Sequence, residues 1–256
     1  MKKLLLLAAL FPVAALAQGY GQAENLIGAY GEVVGTPSSV TANAPGYSAY
    51  ASGGNTAGGG GVFADGVNNS LFFTHLGFNY ADGAPIAGGS VTVNNVSASG
   101  SGANGHSWQF NLRFGKLFPV SSMLAVGPYL AYQYADFRVG VNGYGSAYYR
   151  NNAIGGGLQV ATNTGGPFDL TGHIGYLAGV SSSAGDSAGA ATNPPNAGVL
   201  QIGARGVYAF NPEFSAFAGV AYDRYHASDS YAPDQITGSA TINEVRGMFG
   251  LAYHFG

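Results

Sequence analysis

The sequence has no cysteine and few charged residues. Without cysteine the chain cannot form a disulfide framework or a thiolate metal site. Charged residues make up 8% of the chain, against about 25% in ordinary soluble domains. Nine Lys and Arg residues stand against twelve Asp and Glu residues, so the composition provides no basic surface for nucleic acid. No stretch after the first residues approaches the ~18 continuous apolar residues of a membrane helix. These absences leave a membrane β-barrel or a low-complexity secreted protein.

The first seventeen residues have the three parts of a secretory signal. Lys2 and Lys3 precede an apolar core, and Ala15 to Ala17 form a small-residue cleavage site before Gln18. We therefore predict that residues 1–17 are a signal peptide, and we exclude them from fold reasoning. Their removal takes two of the nine basic residues and no acidic one, so the mature chain is acidic.

The mature chain is dominated by alternation of apolar and polar residues. In the segment 107–117 (SWQFNLRFGKL), one face carries Trp108, Phe110, Leu112 and Phe114. The other face carries Gln109, Asn111 and Arg113. A period of two residues is typical of a β-strand with one apolar face. No segment shows a sustained period of 3.6 residues, so no helix is predicted in the mature chain.

Eight strands of this kind are predicted at residues 71–80, 106–117, 123–136, 147–162, 168–180, 199–210, 214–226 and 241–255. The connections alternate in length. Those at 118–122, 163–167 and 211–213 are short, whereas those at 81–105, 137–146, 181–198 and 227–240 are long and rich in Gly, Ser and Ala. Alternating short turns and long loops are typical of transmembrane β-barrels, with the short turns in the periplasm.

The Gly/Ser/Ala-rich segment 18–67 contains two weaker strand patterns, at 25–35 and 59–66. If both join the sheet, the chain has ten strands; if neither joins, it has eight, and segment 18–67 is a flexible arm or plug. Ten is the prediction, because Tyr and Val spaced among glycines resemble barrel wall. The fold class is therefore all-β, a single closed antiparallel up-and-down transmembrane barrel, with the first hairpin in 18–67 and the remainder in 68–256.

The final residues, GMFGLAYHFG, place Val245, Phe249, Leu251, Tyr253 and Phe255 on one face. This segment resembles the last strand of outer-membrane barrels, except that a glycine follows the terminal aromatic residue. The hairpins are similar to the membrane domain of outer-membrane protein A and its small, porin-like relatives over most of the mature chain. The resemblance implies a monomer in the bacterial outer membrane. Its implied partners are membrane lipid, lipopolysaccharide and, through the C-terminal strand, the barrel assembly machinery.

Strand alternation also predicts which charges face the interior. Arg113, Arg205 and Arg246 would face Asp169, Asp223 and Glu244. A barrel of eight or ten strands is just wide enough to be filled by side chains, and buried charges require partners. We therefore expect an ion-paired, largely filled interior. The alternative is a narrow porin-like channel for water or small solutes, with glycine-rich strands widening the bore.

Aromatic residues at the strand ends predict the two girdles of a membrane barrel. The predicted periplasmic girdle is Phe114, Phe118, Phe168, Phe210, Phe214, Tyr253 and Phe255. The predicted outer girdle is Tyr80, Tyr134, Tyr148, Tyr222 and Tyr225.

One pair of residues suggests chemistry. His226 and Ser228 resemble the His-x-Ser pair of lipid A deacylase barrels, in which a histidine activates a serine against an acyl ester. The following Asp229 and Ser230 do not continue that pattern, and Glu244 lies on the opposite face. The alternative is an amphipathic rim that contacts lipopolysaccharide. The five histidines do not cluster, so we expect no metal, no cofactor and no enzymatic activity.

Three functions thus compete: a structural or surface-interaction barrel, which we favour, a narrow channel, and a lipid A-modifying acyl hydrolase. A soluble secreted β-sandwich is the remaining rival. It would bury the apolar faces between two sheets and have no aromatic girdles.

Overall fold

The computed structural model describes residues 25–83, 89–93, 96–100, 103–141, 145–186, 191–194, 196–231 and 236–255. The predicted signal peptide lies outside these residues. All regular secondary structure in the described part of the chain is β-strand. The same part contains no helix that is long and apolar enough to cross a membrane.

Sixteen strands are present among the described residues. In chain order they are β1 (Leu26–Gly35), β2 (Ser38–Ala44), β3 (Tyr47–Gly53), β4 (Thr56–Val67), β5 (Phe72–Asp82), β6 (Gly89–Val93), β7 (Val96–Gly100), β8 (Ala103–Lys116), β9 (Phe118–Pro119), β10 (Leu124–Val141), β11 (Gly145–Thr162), β12 (Phe168–Asp186), β13 (Ala191–Thr192), β14 (Asn196–Ala209), β15 (Phe214–Tyr231) and β16 (Ile236–His254).

Ten of these strands form a closed ring in the order β1-β4-β5-β8-β10-β11-β12-β14-β15-β16. All neighbours are antiparallel, and β1 pairs with β16 from Leu26 opposite His254 to Gly35 opposite Val245. Closure leaves no free edge, so the backbone N–H and C=O groups of the ring pair within the sheet. The predicted ten-stranded antiparallel barrel is confirmed. The eight-stranded alternative is wrong, because β1 and β4 are part of the wall.

The strands extend well beyond the predicted bounds at one end of the barrel. β1 breaks at Thr36 and Pro37, and the chain continues as β2, which pairs with residues 237–242 of β16. Pro37 has no N–H for a ladder hydrogen bond, but its carbonyl accepts one of 2.8 Å from the Asn243 N–H. β3 pairs with β2 and with β6, and β6 pairs with β7. These four strands lengthen the wall on one side.

Parts of the predicted long loops are therefore strands. β10 reaches Val141 and β11 begins at Gly145, across most of the predicted loop 137–146. β15 and β16 likewise occupy most of 227–240. Residues 227–240 are rich in Ser and Ala, and residues 140–146 contain three glycines. These compositions give little contrast between the two faces, so alternation did not predict the full length of the strands.

The opposite end of the barrel has four short turns, and asparagine side chains stabilise three of them. The Asn68 Oδ1 atom accepts hydrogen bonds from the backbone N–H groups of Ser70 and Phe72, at 2.9 and 3.0 Å. Asn211 Oδ1 accepts two in the same manner, and Asn163 Oδ1 accepts one. Such bonds fix tight turns. We call this end the short-turn end and the other the long-strand end.

The outer wall exposes large apolar side chains, as illustrated by Leu130, which is 70% exposed. Phe72 and Tyr80 both point outward on β5, eight residues apart. At about 3.4 Å per residue and a tilt of about 40°, they lie roughly 20 Å apart along the barrel axis, close to the ~25 Å height of a membrane barrel's apolar band. The apolar face is the outside of a single closed sheet, so the β-sandwich rival is wrong.

Candidate functional site in the barrel interior

Alternation along the strands brings polar side chains from distant parts of the chain into the bore. Gln109 on β8, Gln133 on β10, Asp223 on β15 and Glu244 on β16 are buried there. Because each comes from a different strand, their contacts span the bore instead of following one strand pair. The bore is therefore the candidate functional site, because buried polar and charged side chains from several strands meet there.

An ion-paired network lies at the centre of the bore. The Arg246 guanidinium pairs with the Asp223 carboxylate, and its Nε atom lies 2.9 Å from Glu244 Oε1. Gln109 donates a hydrogen bond of 2.7 Å to Glu244 Oε2. Arg246 also donates to Asn79 Oδ1 at 3.3 Å. Three of the six predicted interior residues are thus brought together, with two amides completing the network.

A second ion pair crosses the bore nearer the short-turn end. Arg205 on β14 pairs with Asp65 on β4, and Asp65 also contacts His75 Nδ1. Sequence reasoning missed Asp65, because it lies in the glycine-rich segment where strand assignment was weakest. The available signal was that Asp65 lies two residues from Phe63 and two from Val67, because residues two apart in a strand share a face. Both Phe63 and Val67 are buried.

The remaining predicted charges are placed differently. Asp169 forms no ion pair with an arginine of the described residues; its Oδ1 accepts a hydrogen bond of 3.0 Å from the Thr164 backbone N–H at a short turn. It is the second residue of β12, so it lies too near the barrel end to reach the central arginines. Arg113 lies over the Tyr129 ring, 5.9 Å from the centroid. Among the described residues, no carboxylate is within 4 Å of Arg113.

Aromatic contacts cross the bore on either side of these polar residues. Toward the short-turn end, Phe63 on β4 meets Phe217 on β15 edge to face, with ring centroids 5.1 Å apart. Toward the long-strand end, Phe137 on β10 meets Tyr225 on β15 at 4.9 Å. The Tyr225 hydroxyl accepts a hydrogen bond of 2.8 Å from Gln133. The bore is thus occupied by side chains at several successive levels.

A cavity of about 120 Å³ remains within the polar part of the interior. Small residues on the inner face of β15, such as Ala221 between Phe217 and Asp223, leave space beside the larger side chains. The charged residues that line it are Asp65, Arg113, Arg205, Asp223 and Arg246. His75 and His173 line it as well. Within the described part of the chain, no three His, Asp or Glu side chains are grouped as metal ligands.

Comparison with solved structures agrees with this architecture. The outer membrane protease OmpT from Escherichia coli superposes with a TM-score of 0.64 at 13% identity, covering 95% of this chain and 100% of that one. The chain has the fold of an outer-membrane β-barrel. Outer-membrane protein OprG from Pseudomonas aeruginosa matches with a TM-score of 0.44 at 13% identity, over 92% of this chain and 98% of that one. No protein-family model and no curated protein sequence matches the chain.

The outer wall of this barrel carries most of the predicted girdle. Its exposed members cluster at the short-turn end and comprise Phe114, Phe118, Phe168, Phe210, Phe214 and Tyr253. Phe255 is half-buried, and its N–H donates to the Asn25 carbonyl beside the closing strand pair. Tyr222 is half-buried on the outer wall, where its hydroxyl donates to Asn243 Oδ1 at 2.8 Å.

Tyr225 does not belong to the outer girdle of this barrel. It is 1% exposed and lies in the bore against Phe137. Its residue type suggested a girdle, but its parity, two residues from inward-facing Asp223, places it inside. The prediction for Tyr225 is therefore wrong.

A cationic cluster lies on the outer wall toward the long-strand end. The Asp136 side chain is 2% exposed and is covered by Arg138 and Arg150, whose side chains are 46% and 41% exposed. The arginine Nε atoms lie 3.1 and 3.0 Å from the two Asp136 carboxylate oxygens. We call these three residues the rim cluster. Sequence reasoning missed it, although strand parity from Tyr134 predicts outward-facing Asp136 and Arg138.

The rim cluster adjoins aromatic side chains on the same wall. Trp108 and Tyr134 pack with ring centroids 4.5 Å apart, and Trp108 is opposite Asp136 in the strand register. The Arg150 guanidinium lies 4.9 Å from the Tyr148 ring centroid. This combination of an aromatic surface with exposed guanidinium groups matches the polar boundary of a membrane.

The pair that suggested acyl hydrolysis is also on this wall. His226 is exposed, and its Nδ1 atom lies 3.3 Å from Thr241 Oγ1 on the neighbouring strand. Ser228 is half-buried and opposite Ser239 of β16 in the register. The group beside the His226 imidazole is thus the Thr241 hydroxyl, which cannot orient the ring electrostatically as the carboxylate of a catalytic triad does.

Proposed function

We propose that this protein is a non-enzymatic barrel of the bacterial outer membrane with a structural or surface-interaction role and a largely filled bore. The observation that carries the proposal is the set of contacts that cross the bore at successive levels. Phe63 meets Phe217, Arg205 pairs with Asp65, and Phe137 meets Tyr225. Each contact joins strands that are not neighbours in the ring, so the side chains occupy the space that a channel would need.

The filled bore supports a structural role over conduction. Arg246 pairs with Asp223 and Glu244, and Arg205 pairs with Asp65. Removing a partner from a buried ion pair is strongly unfavourable. Opening a continuous path would break these pairs and separate the aromatic contacts on either side. The network therefore stabilises the closed arrangement.

The outside of the barrel supports interaction with lipopolysaccharide. In the rim cluster two guanidinium groups share one carboxylate, which leaves an excess positive charge at the surface. Arginine binds phosphate oxygens through paired hydrogen bonds, and the lipid A part of lipopolysaccharide carries phosphate groups. We assign Arg138 and Arg150 as its contact residues, with the strands of the long-strand end projecting outside the cell. Insertion would proceed through the barrel assembly machinery by way of β16.

Recordings from planar bilayers test the filled bore. We expect no discrete conductance steps after insertion of the purified protein, with a general porin as the positive control for insertion. Reproducible steps that scale with protein concentration would support the narrow channel instead. Insertion is verified on the same protein sample by protease protection of reconstituted vesicles, so an absence of conductance steps cannot result from protein that is unable to insert.

Lipid A analysis tests the absence of enzymatic activity. We expect the acylation pattern of lipid A to be the same in cells with wild-type protein, with Ser228→Ala, and with no protein. Loss of an acyl chain that requires Ser228 would establish the acyl hydrolase alternative. OmpT is a protease, but at 13% identity the likeness extends to the fold alone, and we propose no proteolysis for this chain.

A further inference from the structure

The interior cavity contains more hydrogen-bond donors than the protein itself satisfies. Arg113 Nη1 and Arg205 Nε are buried without a hydrogen-bond partner among the described residues. Both arginines line the cavity of about 120 Å³. Unsatisfied buried guanidinium atoms are costly, so a hydrogen-bond acceptor bound in the cavity would be stabilised by both arginines.

The charge of the lining favours an anion. Three guanidinium groups and two carboxylates line the cavity. Asp65 already contacts Arg205 and His75, and Asp223 pairs with Arg246. In the part of the chain that the structure describes, Arg113 has no carboxylate partner. The other buried acids of the bore, Glu32 and Glu244, do not line the cavity, and Glu244 also pairs with Arg246.

Neutral groups of the lining can complete such a site. Asn111, Gln159, Thr171 and Gln201 line the cavity with amide or hydroxyl groups that can donate to an anion. Gln201 and Asn111 already face each other across the bore, with Gln201 Nε2 3.4 Å from Asn111 Oδ1. The volume of the cavity limits the size of the ligand, because the cavity holds only a few water molecules.

We propose that the cavity binds a small anion, such as a halide or a compact carboxylate, between the Arg113 and Arg205 guanidinium groups. The anion neutralises the unpaired charge of Arg113 and joins β8 to β14 across the bore. The site is independent of the rim cluster, which lies on the outer wall.

Bromide is the probe for this site. The full protein, purified from membranes in detergent, is crystallised with bromide, and anomalous scattering is measured at the bromine edge. We expect a peak inside the bore in contact with the Arg113 guanidinium. No peak in the bore, or peaks on the outer surface alone, would overturn the proposal and indicate water in the cavity. This measurement uses the wild-type protein, so it does not depend on a variant that folds.

Thermal unfolding in solution provides the second measurement. Replacing gluconate, which is too large for the cavity, with bromide at constant ionic strength should raise Tm by about 3–6 °C at ten times the dissociation constant. Arg113→Met should abolish this shift. Lys116→Met, which removes a positive charge from the outer wall, should retain it. Equal Tm in the two salts for the wild type would contradict the proposal.

Discussion

The Gln109 side chain donates a hydrogen bond of 2.7 Å to the Glu244 carboxylate across the bore, although the two residues are 135 positions apart. Three strands of the ring separate β8 from β16 on the shorter path. The bond therefore joins opposite parts of the wall. Together with Arg246, it ties the strand that closes the barrel to a strand formed much earlier in the chain.

Arg246 is the residue whose loss should most destabilise the interior. Arg246→Met leaves Asp223 and Glu244 buried without their cation, and breaking a buried pair in this way costs about 3–5 kcal/mol. Urea unfolding of the protein in detergent measures the change. Trp108, the one tryptophan in the sequence, provides the fluorescence signal.

A triple variant distinguishes the loss of charge pairing from the loss of side-chain packing at Arg246. Arg246→Met combined with Asp223→Asn and Glu244→Gln removes all three charges at similar volume, so we expect it to recover most of the lost stability. If the single and triple variants are equally unstable, packing of the Arg246 side chain and not charge pairing accounts for the loss.

Close packing of the inner wall depends on glycine at particular positions. A Cβ atom at Gly157 would lie 2.1 Å from the Ile174 carbonyl oxygen and 2.6 Å from the Tyr129 hydroxyl. Gly157→Ala should therefore cost about 1–3 kcal/mol through overpacking. Gly247→Ala is the matched control, because no described residue outside its two chain neighbours has an atom within 4 Å of a Cβ at that position. Equal unfolding midpoints for the two variants would contradict the described inner wall.

The rim cluster predicts a loss of lipopolysaccharide affinity. Arg138→Gln with Arg150→Gln removes the exposed guanidinium groups, and we expect binding of fluorescent lipopolysaccharide to weaken about tenfold or more, equivalent to at least about 1.4 kcal/mol. The control, Lys116→Gln with Arg224→Gln, removes two positive charges elsewhere on the wall. Similar losses in both double variants would mean that net charge alone governs binding.

The sequence predicts the ring because eight of its ten strands alternate clearly, whereas β1 and β4 show weaker patterns among glycines. Arg113, Arg205, Asp223, Glu244 and Arg246 all face the interior in the structure, as parity along their strands indicates. The alternation within one strand is enough to predict whether a residue faces the interior. It does not predict the residue's ion-pair partner, because the partner depends on how distant strands are arranged around the bore.

The same limits of sequence patterns explain the wrong prediction for Asp169 and the strands that were missed. Asp169 was expected to balance an arginine, but it stabilises a turn, whereas Asp65 from a glycine-rich strand supplies the carboxylate for Arg205. The extensions β2, β3, β6 and β7 were missed because they are only five to seven residues long and contain many Ser, Ala and Gly residues. A short strand of this composition shows little hydrophobic contrast by which a sequence pattern can be recognised.

Quenching by brominated lipids tests most directly that lipid contacts the outer wall of this barrel. In a Trp108→Phe background, Leu130→Trp places a single indole at a position where the wild-type side chain is 70% exposed, and Phe118→Trp places one at the short-turn girdle. We predict that lipids brominated deep in their acyl chains quench the first strongly, and that lipids brominated near the headgroup quench the second. Quenching of both by aqueous acrylamide, with no effect of brominated lipid, would contradict a membrane-spanning barrel.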